Sequence, residues 1–553
     1  MMRCGPVSTA AMFARFIIPL AFFAQFGTAQ NGPFEPADFD VTAALAELGI
    51  DASALPRPVN AGANIAQRSA SPSCALACSS LHVLFGGEQV LPEGSSEYDA
   101  FTSAYWSAQQ GSLNPSCVFK PSKTVDVSTF VLIARLYQCP FAVKGGGHAA
   151  WAGASSIEDG ITVSLENFKQ TIVAADKKTV DVGPGLRWVD IYKAVEKDGL
   201  SVVGGRMSPV GVPGLILGGG ISHFSNKLGW ACDNVESYEL VTASGVPITV
   251  SATLYSDLYW ALRGGGNNFG IVTNFKLNAF PQGDLWGGQR VYLEDQFSKN
   301  LDAIYEFTIN GSPTDLDAAQ IITFASAPGI GKVSFANLHY AKPIPNAPVF
   351  AAWSNITAID DTTGLRPMSG MAELLNQGAP APGAYQTWWG VSLKMDRSLL
   401  TFVVDTFYAQ EATVADVEKI LLIMAIQPIT TGALHAMQKN GGNALGLDPS
   451  GGPYFVLNFN AAWNVAADEG KFHHVIVTII GLVKEAARRR GLDNDFVYLN
   501  YASEYQDPIG SYGAANKRRL QDVSRKYDPK GVFQKLQPGG FKLFKGAPNG
   551  GTP

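Results

Sequence analysis

A short loop near residue 145 combines a potential anion site with a chemically versatile histidine. The apolar run 139–143 predicts a strand, and Lys144-Gly145-Gly146-Gly147-His148 predicts a tight turn directly after it. Consecutive glycines leave backbone N–H groups uncovered, and such groups turned inward can bind a phosphate. The imidazole of His148 could act as a base, a ligand or a nucleophile. The alternative is an ordinary glycine-rich turn beside a surface histidine.

Three further glycine clusters follow, at 183–185, 211–220 and 264–270. None is a Walker loop, and none combines a strand, GxGxxG and a helix as a dinucleotide fingerprint does. Four clusters in one β-rich region indicate backbone packed against a long, flat ligand that bears phosphate. The alternative is that glycine only terminates strands in a chain that has 58 glycines.

The elements that must position these clusters follow an α+β pattern. Between residues 115 and 281, short β-rich runs such as 161–165 and 239–243 alternate with helical stretches such as 127–137. Between 283 and 452, alternating runs at 333–340 and 400–407 predict an antiparallel sheet covered by helices. The last part predicts a helix at 471–490, a strand at 496–501 and a helix at 513–527.

These patterns predict six regions along the chain. They are a signal peptide (1–29), an N-terminal arm with the start of the first domain (30–112), the glycine-rich domain (113–283), a second domain (284–455), a C-terminal segment (456–545) and a disordered tail (546–553). The arm is expected to be loosely attached.

Composition is typical of a compact globular protein of more than one domain. The chain has 553 residues, 46% hydrophobic and 16% charged, and its formal net charge of −6 offers no field for nucleic acid or anionic membranes. The basic runs 488–490 and 517–519 lack interleaved aromatic side chains, so we interpret them as solvated helix faces. We expect a monomer.

The N-terminal residues have the pattern of a secretory leader. Two arginines precede the apolar stretch 16–23, and Gly27 and Ala29 stand at the positions that a signal peptidase reads, which predicts cleavage after Ala29. The stretch is too short to span a bilayer. Glycosylation sequons at Asn310 and Asn355 agree with a secreted, extracellular glycoprotein.

Cysteine usage agrees with an oxidising compartment. Five cysteines remain after the predicted leader, so the chain can form at most two disulfides and keeps one thiol. The spacing does not reveal which pairs form. No second pair matches the one at 74 and 78, and no HExxH run occurs, so we expect no metal site. The five are Cys74, Cys78, Cys117, Cys139 and Cys232.

Taken together and in this order, the motifs resemble those of a known family. The chain resembles FAD-linked oxidoreductases of the vanillyl-alcohol oxidase and p-cresol methylhydroxylase (PCMH) superfamily, and within it the berberine bridge enzyme-like oxidases, including secreted fungal members. The resemblance implies that 113–283 is a PCMH-type FAD-binding domain and that 284–455 is an antiparallel-sheet substrate-binding domain covered by helices. It also implies that the segment 456–545 returns to the FAD-binding domain. Seven runs carry it: PSKTVDV at 121–127, KGGGH at 144–148, DVGPGLRW at 181–188, VGVPG at 210–214, DLYWALRGGGNNFGIVT at 257–273, YLNY at 498–501 and YDPKGVF at 527–533.

The resemblance also implies residues that would hold FAD. His148 falls where the family's histidine is bonded to the flavin, and Asn516 would reach the ring from the C-terminal helix. Val210 falls where small residues admit oxygen, which implies oxidase behaviour. The implied cofactor-binding residues are Lys144, Gly145, Gly146, Gly147, His148, Val210, Gly211, Gly214, Gly218, Gly219, Asn267, Gly270, Val272 and Asn516.

One position departs from the family's bicovalent members. They carry a cysteine bonded to the flavin where this chain has Met207, and a thioether cannot form that bond. We therefore expect a single covalent link, through His148. Bicovalent attachment accompanies an open site for bulky substrates, so a narrower substrate is expected here.

The cofactor implies hydride removal from a substrate carbon while a base takes a proton from the neighbouring O–H or N–H. We match the family's glutamate base to Asn464, whose amide cannot serve as a base. The catalytic candidates are therefore Tyr498 and Tyr501. A regular strand would place them on opposite faces, with only one towards the flavin, and we prefer Tyr498. The alternative is that both only pack in a half-buried strand.

Two functions of different classes stay open at this point, and cyclisation of a metabolite by C–C or C–O bond formation is a third possibility that shares the hydride step of the first. The first is a secreted FAD-dependent oxidase that acts on an alcohol, sugar or secondary-metabolite carbon and reduces O2 to H2O2. The second is a flavin-bound but catalytically idle surface or interaction protein, which the amide at Asn464 favours. The glycine loop with His148 and the two tyrosines favour the first.

Overall fold

The computed structural model describes residues 33–57, 72–327, 329–377, 379–415, 417 and 419–550. The predicted signal peptide, 1–29, lies outside the described residues, as does the end of the predicted tail, 551–553. The described residues combine helices and sheets in an α+β fold.

The strands, in chain order, are β1 (Val90–Pro92), β2 (Cys117–Phe119), β3 (Phe141–Lys144), β4 (Ile161–Ser164), β5 (Thr171–Val173), β6 (Thr179–Val182), β7 (Leu200–Val202), β8 (Val235–Val241), β9 (Pro247–Ser251), β10 (Ile271–Pro281), β11 (Leu285–Leu293), β12 (Ala318–Ala327), β13 (Gly331–Tyr340), β14 (Asp360–Asp361), β15 (Gly364–Arg366), β16 (Tyr385–Lys394), β17 (Lys419–Ile429) and β18 (Tyr454–Trp463).

The α-helices are α1 (Val41–Glu47), α2 (Pro72–Phe85), α3 (Ser96–Ser103), α4 (Ala108–Gly111), α5 (Thr124–Tyr137), α6 (Trp188–Val195), α7 (Val212–Leu217), α8 (Ser225–Leu228), α9 (Ser256–Leu262), α10 (Phe297–Glu306), α11 (Met368–Leu375), α12 (Arg397–Glu411), α13 (Thr431–Ala436), α14 (Glu469–Arg489), α15 (Pro508–Ser511), α16 (Ala514–Tyr527) and α17 (Val532–Lys535).

The strands form three sheets in the described part of the chain. The first has the order β1-β2-β4-β3, in which β2 and β3 both run parallel to β4. The second is antiparallel with the order β5-β6-β10-β8-β9, and β7 also pairs with β10. The third is antiparallel with the order β14-β11-β13-β12-β17-β18-β16, and β15 pairs with β11. The first two sheets hold the predicted FAD-domain residues, and the third holds the predicted substrate-domain residues.

The two faces of the third sheet differ in polarity. One face packs against α10, α12 and α14 in a single apolar core that includes Leu457 and Phe459 of β18. Side chains alternate along a strand, so the neighbours Asn458 and Asn460 point to the other face. Their cross-strand partners Gly390 and Trp388 share that face. This second face is turned towards the FAD-binding residues.

The strand predicted at 400–407 is wrong, because these residues lie in helix α12. The buried side chains of this segment are Leu399, Leu400, Val403, Val404 and Phe407, which follow the helical spacing of three and four. The side chain of Asp396 accepts a hydrogen bond from the backbone N–H of Leu399 and caps the helix. The cap and this spacing outweigh the β-branched residues that suggested a strand.

The predicted boundary between residues 455 and 456 falls inside β18. This strand pairs with both β16 and β17, so the third sheet extends to Trp463. Helix α14 then covers the same sheet, and its residues Ile476, Ile479 and Val483 lie in that core. The return to the first two sheets starts only after α14.

The N-terminal arm is held more firmly than the sequence suggested. The carboxylate of Glu35 lies 2.6 Å from a guanidinium nitrogen of Arg135 on α5, and both side chains are buried. The backbone N–H of Phe34 donates to the carbonyl of Lys526 on α16. A buried ion pair is costly to break, because one unpartnered charge would remain. The prediction of a loose arm is therefore wrong for residues 33–57.

Two disulfides and one free cysteine agree with the cysteine count. Cys74 is bonded to Cys139, and Cys78 is bonded to Cys117, so both bridges tie α2 to the first sheet region. Cys232 is a buried free thiol.

Candidate active site

The main candidate site is a cavity of about 320 Å³ between the FAD-domain residues and the third sheet. Its wall combines the loop after β3, the segments around α7 and at the start of β10, Trp388 of β16, and the residues 498–502. Arg206 lines it, whereas the described lining residues include no aspartate or glutamate. A phosphate-bearing ligand would therefore meet no opposing carboxylate in this wall.

Two glycine-rich segments line the cavity side by side. A Cβ atom at Gly146 would lie 2.5 Å from the Cα atom of Gly211, and one at Gly211 would lie 2.4 Å from the backbone nitrogen of Gly146. Real Cβ contacts are not so short, so the approach of the two backbones requires glycine at both positions. Gly147 adopts a φ of 69°, which also favours glycine. The turn thus presents backbone rather than side chains to the cavity.

His148 is held by two tryptophans. Its ring stacks on Trp106 with centroids 4.2 Å apart, and the ring of Trp388 meets it edge-on at 6.2 Å. Burial lowers the pKa of His148 to about 4. The imidazole is therefore neutral at physiological pH, which is the form that acts as a nucleophile.

The hydroxyl of Tyr498 is surrounded by donors from the protein. Its oxygen accepts hydrogen bonds from the backbone N–H groups of Gly220 (2.9 Å) and Ile221 (3.2 Å), and from the side-chain amide of Asn500 (2.9 Å). Burial raises the pKa of Tyr498 well above the usual value. This hydroxyl is thus committed to holding the backbone after α7.

The hydroxyl of Tyr501 has a different environment. It accepts a hydrogen bond from the guanidinium of Arg206 (2.7 Å) and donates one to the side-chain carbonyl of Gln427 on β17 (3.1 Å). Arg206 also donates to the same Gln427 oxygen at 2.6 Å. A cation that donates to a phenolic oxygen stabilises negative charge on that oxygen.

Both tyrosines line the cavity, which corrects the expectation that only one would. Residues 496–501 form no strand: Tyr498 precedes a 3₁₀-helix at Leu499–Tyr501. Residues three apart lie nearly above one another in 3₁₀ geometry. The two rings accordingly meet at a centroid distance of 4.8 Å.

The cavity also contains buried polar atoms that lack a protein partner. The side-chain carbonyl of Gln537 and the indole N–H of Trp388 both belong to lining residues and have no hydrogen-bond partner among the described residues. A buried polar group without a protein partner can be satisfied by water, an ion or a bound molecule. Together with the uncovered glycine backbone and Arg206, they fit a long ligand with both ring and phosphate parts, as FAD is.

Comparisons with known proteins identify FAD as the cofactor. A family model described as an FAD binding domain matches residues 115–251. The FAD-dependent monooxygenase tpcD of Cochliobolus heterostrophus is 37% identical over 495 residues, which cover 85% of this chain and 94% of that protein. The chain belongs to this family of FAD-dependent oxidoreductases.

Solved structures of other flavoenzymes share the fold of this protein. The 6-hydroxy-D-nicotine oxidase of Arthrobacter nicotinovorans superposes with a TM-score of 0.67 at 20% identity, covering 82% of this chain and 97% of that chain. A berberine bridge enzyme-like protein of Physcomitrella patens superposes with a TM-score of 0.68 at 19% identity, covering 83% of this chain and 97% of that chain. The protein is thus an FAD-dependent oxidoreductase on a PCMH-type scaffold.

Most of the residues expected to bind FAD lie in one wall. Met207, the residue that replaces the cysteine of bicovalent members, lines the same cavity. The structure brings together Gly145, Gly146, Gly147, His148, Val210, Gly211, Gly214, Asn267, Gly270 and Val272, along with Tyr498 and Tyr501.

Four predicted residues do not line the cavity. The ammonium group of Lys144 lies 4.8 Å above the ring of Phe101 instead. Asn516 donates to the carbonyl of Ala444, because α16 packs beside that segment. Gly218 and Gly219 lie behind the site at the end of α7, where an added Cβ would clash with Asn500, Trp230 or Tyr498. Their role is to leave room for Tyr498 and Asn500.

Sequence reasoning missed Arg206, Gln427, Trp106, Trp388 and Asn500. Gln427 did carry a signal, since it is a polar residue in the otherwise apolar stretch 420–429 and is buried in the sheet. Arg206 follows two glycines directly before Met207, a position that suggests an exposed turn. Its role depends on Tyr501, which lies far away in the chain.

Asn464 does not lie in the cavity. It is exposed just after the end of β18, so the match to the family's glutamate base is wrong. The amides on the cavity-facing side of β18 are Asn458 and Asn460, which share that face with Trp388. The amide at Asn464 therefore says nothing about an idle site.

Among the described residues, no helix combines the length and apolar character needed to cross a bilayer.

Proposed function

We propose that this protein is a secreted FAD-dependent oxidase that removes a hydride from an alcohol, sugar or secondary-metabolite carbon and produces H2O2. The observation that carries the proposal is the hydrogen-bonded group of Arg206, Gln427 and Tyr501 at the cavity that holds the His148 loop. Bound FAD would supply the hydride acceptor and return the electrons to O2. The residues of the chain orient the substrate and accept its proton.

Tyr501 is the proposed base, in place of the Tyr498 that the sequence favoured. Tyr501 can accept a substrate proton only as a phenolate, which returns to the neutral phenol when it takes that proton. Such a base needs room for the substrate and a neighbouring positive charge that stabilises the deprotonated oxygen. Arg206 provides that charge at 2.7 Å from the Tyr501 oxygen. The oxygen of Tyr498 already accepts three hydrogen bonds from the protein. Tyr498 is thus proposed to position the segment rather than to transfer a proton.

His148 is the proposed covalent attachment point for FAD. Its ring is neutral and fixed between Trp106 and Trp388 at the end of the glycine loop. Met207 in the same wall cannot form a second bond of this kind.

Attachment can be tested without measuring turnover. After acid precipitation, the yellow colour should stay in the pellet of the wild-type protein and move to the supernatant in His148→Ala. Free flavin in the wild-type supernatant would contradict the tether but leave FAD binding intact.

A substrate with an apolar body and one hydroxyl group fits the wall best. Trp388 and Tyr501 meet with their ring centroids 5.3 Å apart and offer an apolar surface next to the proposed base. Ring surfaces of this kind bind flat or cyclic carbon skeletons. Sugars remain in the panel because Asn458 and Asn460 add amides to the same sheet face.

The decisive experiment measures peroxide. The holoenzyme is mixed with a panel of benzylic and allylic alcohols, hydroxylated polyketides and sugars, and H2O2 formation is followed together with bleaching of the flavin absorption. We expect at least one alcohol to give peroxide and product in equal amounts. The oxidase function would be contradicted if no substrate in the panel gave H2O2 although dithionite reduced the bound flavin.

Monooxygenation is the second candidate, because the relative of Cochliobolus heterostrophus bears that name. The two functions differ in the fate of oxygen. Under ¹⁸O2, an oxidase yields labelled peroxide and an unlabelled product, whereas a monooxygenase places one labelled atom in the product. Val210 in the cavity wall is compatible with oxygen access in either case.

Secretion rests on the predicted leader and on the two disulfides, which form in oxidising compartments. Expression of the full chain in a fungal host should release protein that begins at Gln30 into the medium. Secretion would be contradicted if the protein stayed inside the cell with its N-terminus intact.

A further inference from the structure

A second group of chemically reactive side chains lies outside the cavity, where α14 begins. Glu469 and His473 are four residues apart on α14, and therefore share one face of that helix. Glu504 reaches the same place from the segment that follows Tyr501. One ligand atom from each of the three residues lies within 4.8 Å of the others.

The imidazole of His473 is buried without a hydrogen-bond partner. Its side chain is 2% exposed, and among the described residues neither ring nitrogen has a partner. The Nε2 atom lies 3.7 Å from Oε1 of Glu469, which is too long for a hydrogen bond. Trp389 and Tyr505 flank the ring edge-on at 5.7 Å and 5.2 Å and hold its orientation. A fixed, buried nitrogen without a protein partner is available to bind water or a metal ion.

Glu504 is a buried carboxylate beside a second carboxylate. It is 8% exposed and accepts a hydrogen bond from the hydroxyl of Ser503 at 3.0 Å. A positive ion between the two carboxylates would compensate both charges.

We propose that Glu469, His473 and Glu504 bind one divalent transition-metal ion, with Zn²⁺ as the best fit. One imidazole nitrogen and two carboxylate oxygens suit zinc, whereas Mg²⁺ and Ca²⁺ prefer oxygen ligands alone. Two ligand atoms on a tetrahedral zinc ion lie about 3.4 Å apart. The 3.7 Å between His473 and Glu469 is close to that spacing, so a small side-chain shift completes the site. Water would supply a fourth ligand.

The ion would join two parts of the fold. Glu469 and His473 belong to the helix that covers the third sheet, whereas Glu504 is three residues beyond Tyr501. The same segment is already fixed at Gln506, whose amide bonds to Gly390 of β16 in both directions. The role of the site is thus structural, and it is independent of the flavin.

The sequence analysis could not find this site. The pair Glu469 and His473 does not have HExxH spacing, and Glu504 is distant in the chain. The expectation of no metal site came from cysteine pairs and HExxH runs alone.

The test uses the full chain without a histidine tag. The protein is stripped with a chelator, loaded with ZnCl2 and dialysed, and the bound metal and thermal midpoint are then measured. We expect about one zinc ion per chain and a midpoint raised by a few degrees. His473→Gln and Glu504→Gln should weaken zinc binding at least about 100-fold and lose the shift. The matched control is His474→Gln, which changes the exposed neighbour on the same helix. This variant should retain both zinc binding and the shift in the thermal midpoint.

Cobalt provides a second measurement that does not depend on stability. Co²⁺ bound at the site should give visible absorption typical of tetrahedral coordination, and Glu504→Gln, which has nearly the same shape, should abolish it. The proposal is overturned if the wild-type protein retains no stoichiometric zinc after dialysis. It is equally overturned if Glu504→Gln binds zinc as tightly as the wild-type protein.

Discussion

Tyr498 and Tyr501 are the same residue type one short turn apart, yet their hydroxyl groups lie in different regions of the molecule. Tyr498 bonds to the backbone of the FAD-binding part at Gly220 and Ile221. Tyr501 bonds to a guanidinium and to a glutamine of the third sheet. The difference shows that the environment, and not the residue type, separates a structural tyrosine from a candidate base.

The largest effect is expected from removing the candidate base. Tyr501→Phe should lower kcat by about 10²–10⁴-fold, because the phenolic oxygen can no longer accept the substrate proton. Stopped-flow measurement of flavin reduction under anaerobic conditions isolates this step. The aromatic contact with Trp388 is retained in the variant, so the flavin spectrum should stay unchanged. Equal losses in Tyr501→Phe and Tyr498→Phe would remove the distinction between the two residues.

The next effect tests the cation beside Tyr501. Arg206→Gln should slow flavin reduction by about 10²-fold, since it removes a preorganised donor to the oxygen that becomes charged. Arg206→Lys should recover part of the rate, because it restores the positive charge but not the planar guanidinium that donates to both Gln427 and Tyr501. An Arg206→Gln enzyme with full activity would show that Tyr501 works without the cation.

Tyr498→Phe should affect stability more than rate. It removes the acceptor for two buried N–H groups and one amide, so the free energy of unfolding should fall by about 1–3 kcal/mol. Denaturant unfolding followed by tryptophan fluorescence measures this loss. The rate of flavin reduction should change less than tenfold. If Tyr498→Phe slowed flavin reduction as much as Tyr501→Phe does, Tyr498 would become the candidate base.

The last prediction concerns the pH dependence of stability that the buried His339, close to Arg206, contributes. His339 is buried, and burial followed by the charge of Arg206 lowers its pKa to about 3. The folded protein holds this imidazole neutral while the unfolded chain protonates it near pH 6.5, so stability is full above that pH and falls as pH drops towards 3. The contribution lost between pH 7 and 5 is about 2 kcal/mol.

His339→Asn should therefore flatten the stability curve between pH 7 and 5. His435→Asn, which changes an exposed histidine, is the matched control and should leave the curve unchanged. A His339→Asn curve as steep as that of the wild-type protein would place the acid-sensitive group elsewhere, with His223 as the next candidate because its ring centroid lies 3.8 Å from that of His339.

Local pattern predicted much of the fold. Helices at 124–137, 469–489 and 514–527 were found from their spacing, and the strand at 331–340 from its alternation. The segment 397–411 was misread, because its apolar residues satisfy strand and helix patterns over a short window. The buried attachment of the arm at Glu35 was missed, because its partner Arg135 lies in another element.

The sequence by itself determined the family, the cofactor and the loop that presents His148, because these depend on glycines and motifs that act within a few residues. Tertiary structure alone decided which tyrosine has a cation beside it. Arg206, Gln427 and Tyr501 are separated by more than seventy positions at each step, and their hydrogen bonds exist only once the third sheet packs over the FAD-binding part. The same holds for Glu469, His473 and Glu504. Glu504 is distant from the other two in the chain, and a local sequence pattern does not show which distant side chains come together when the elements pack.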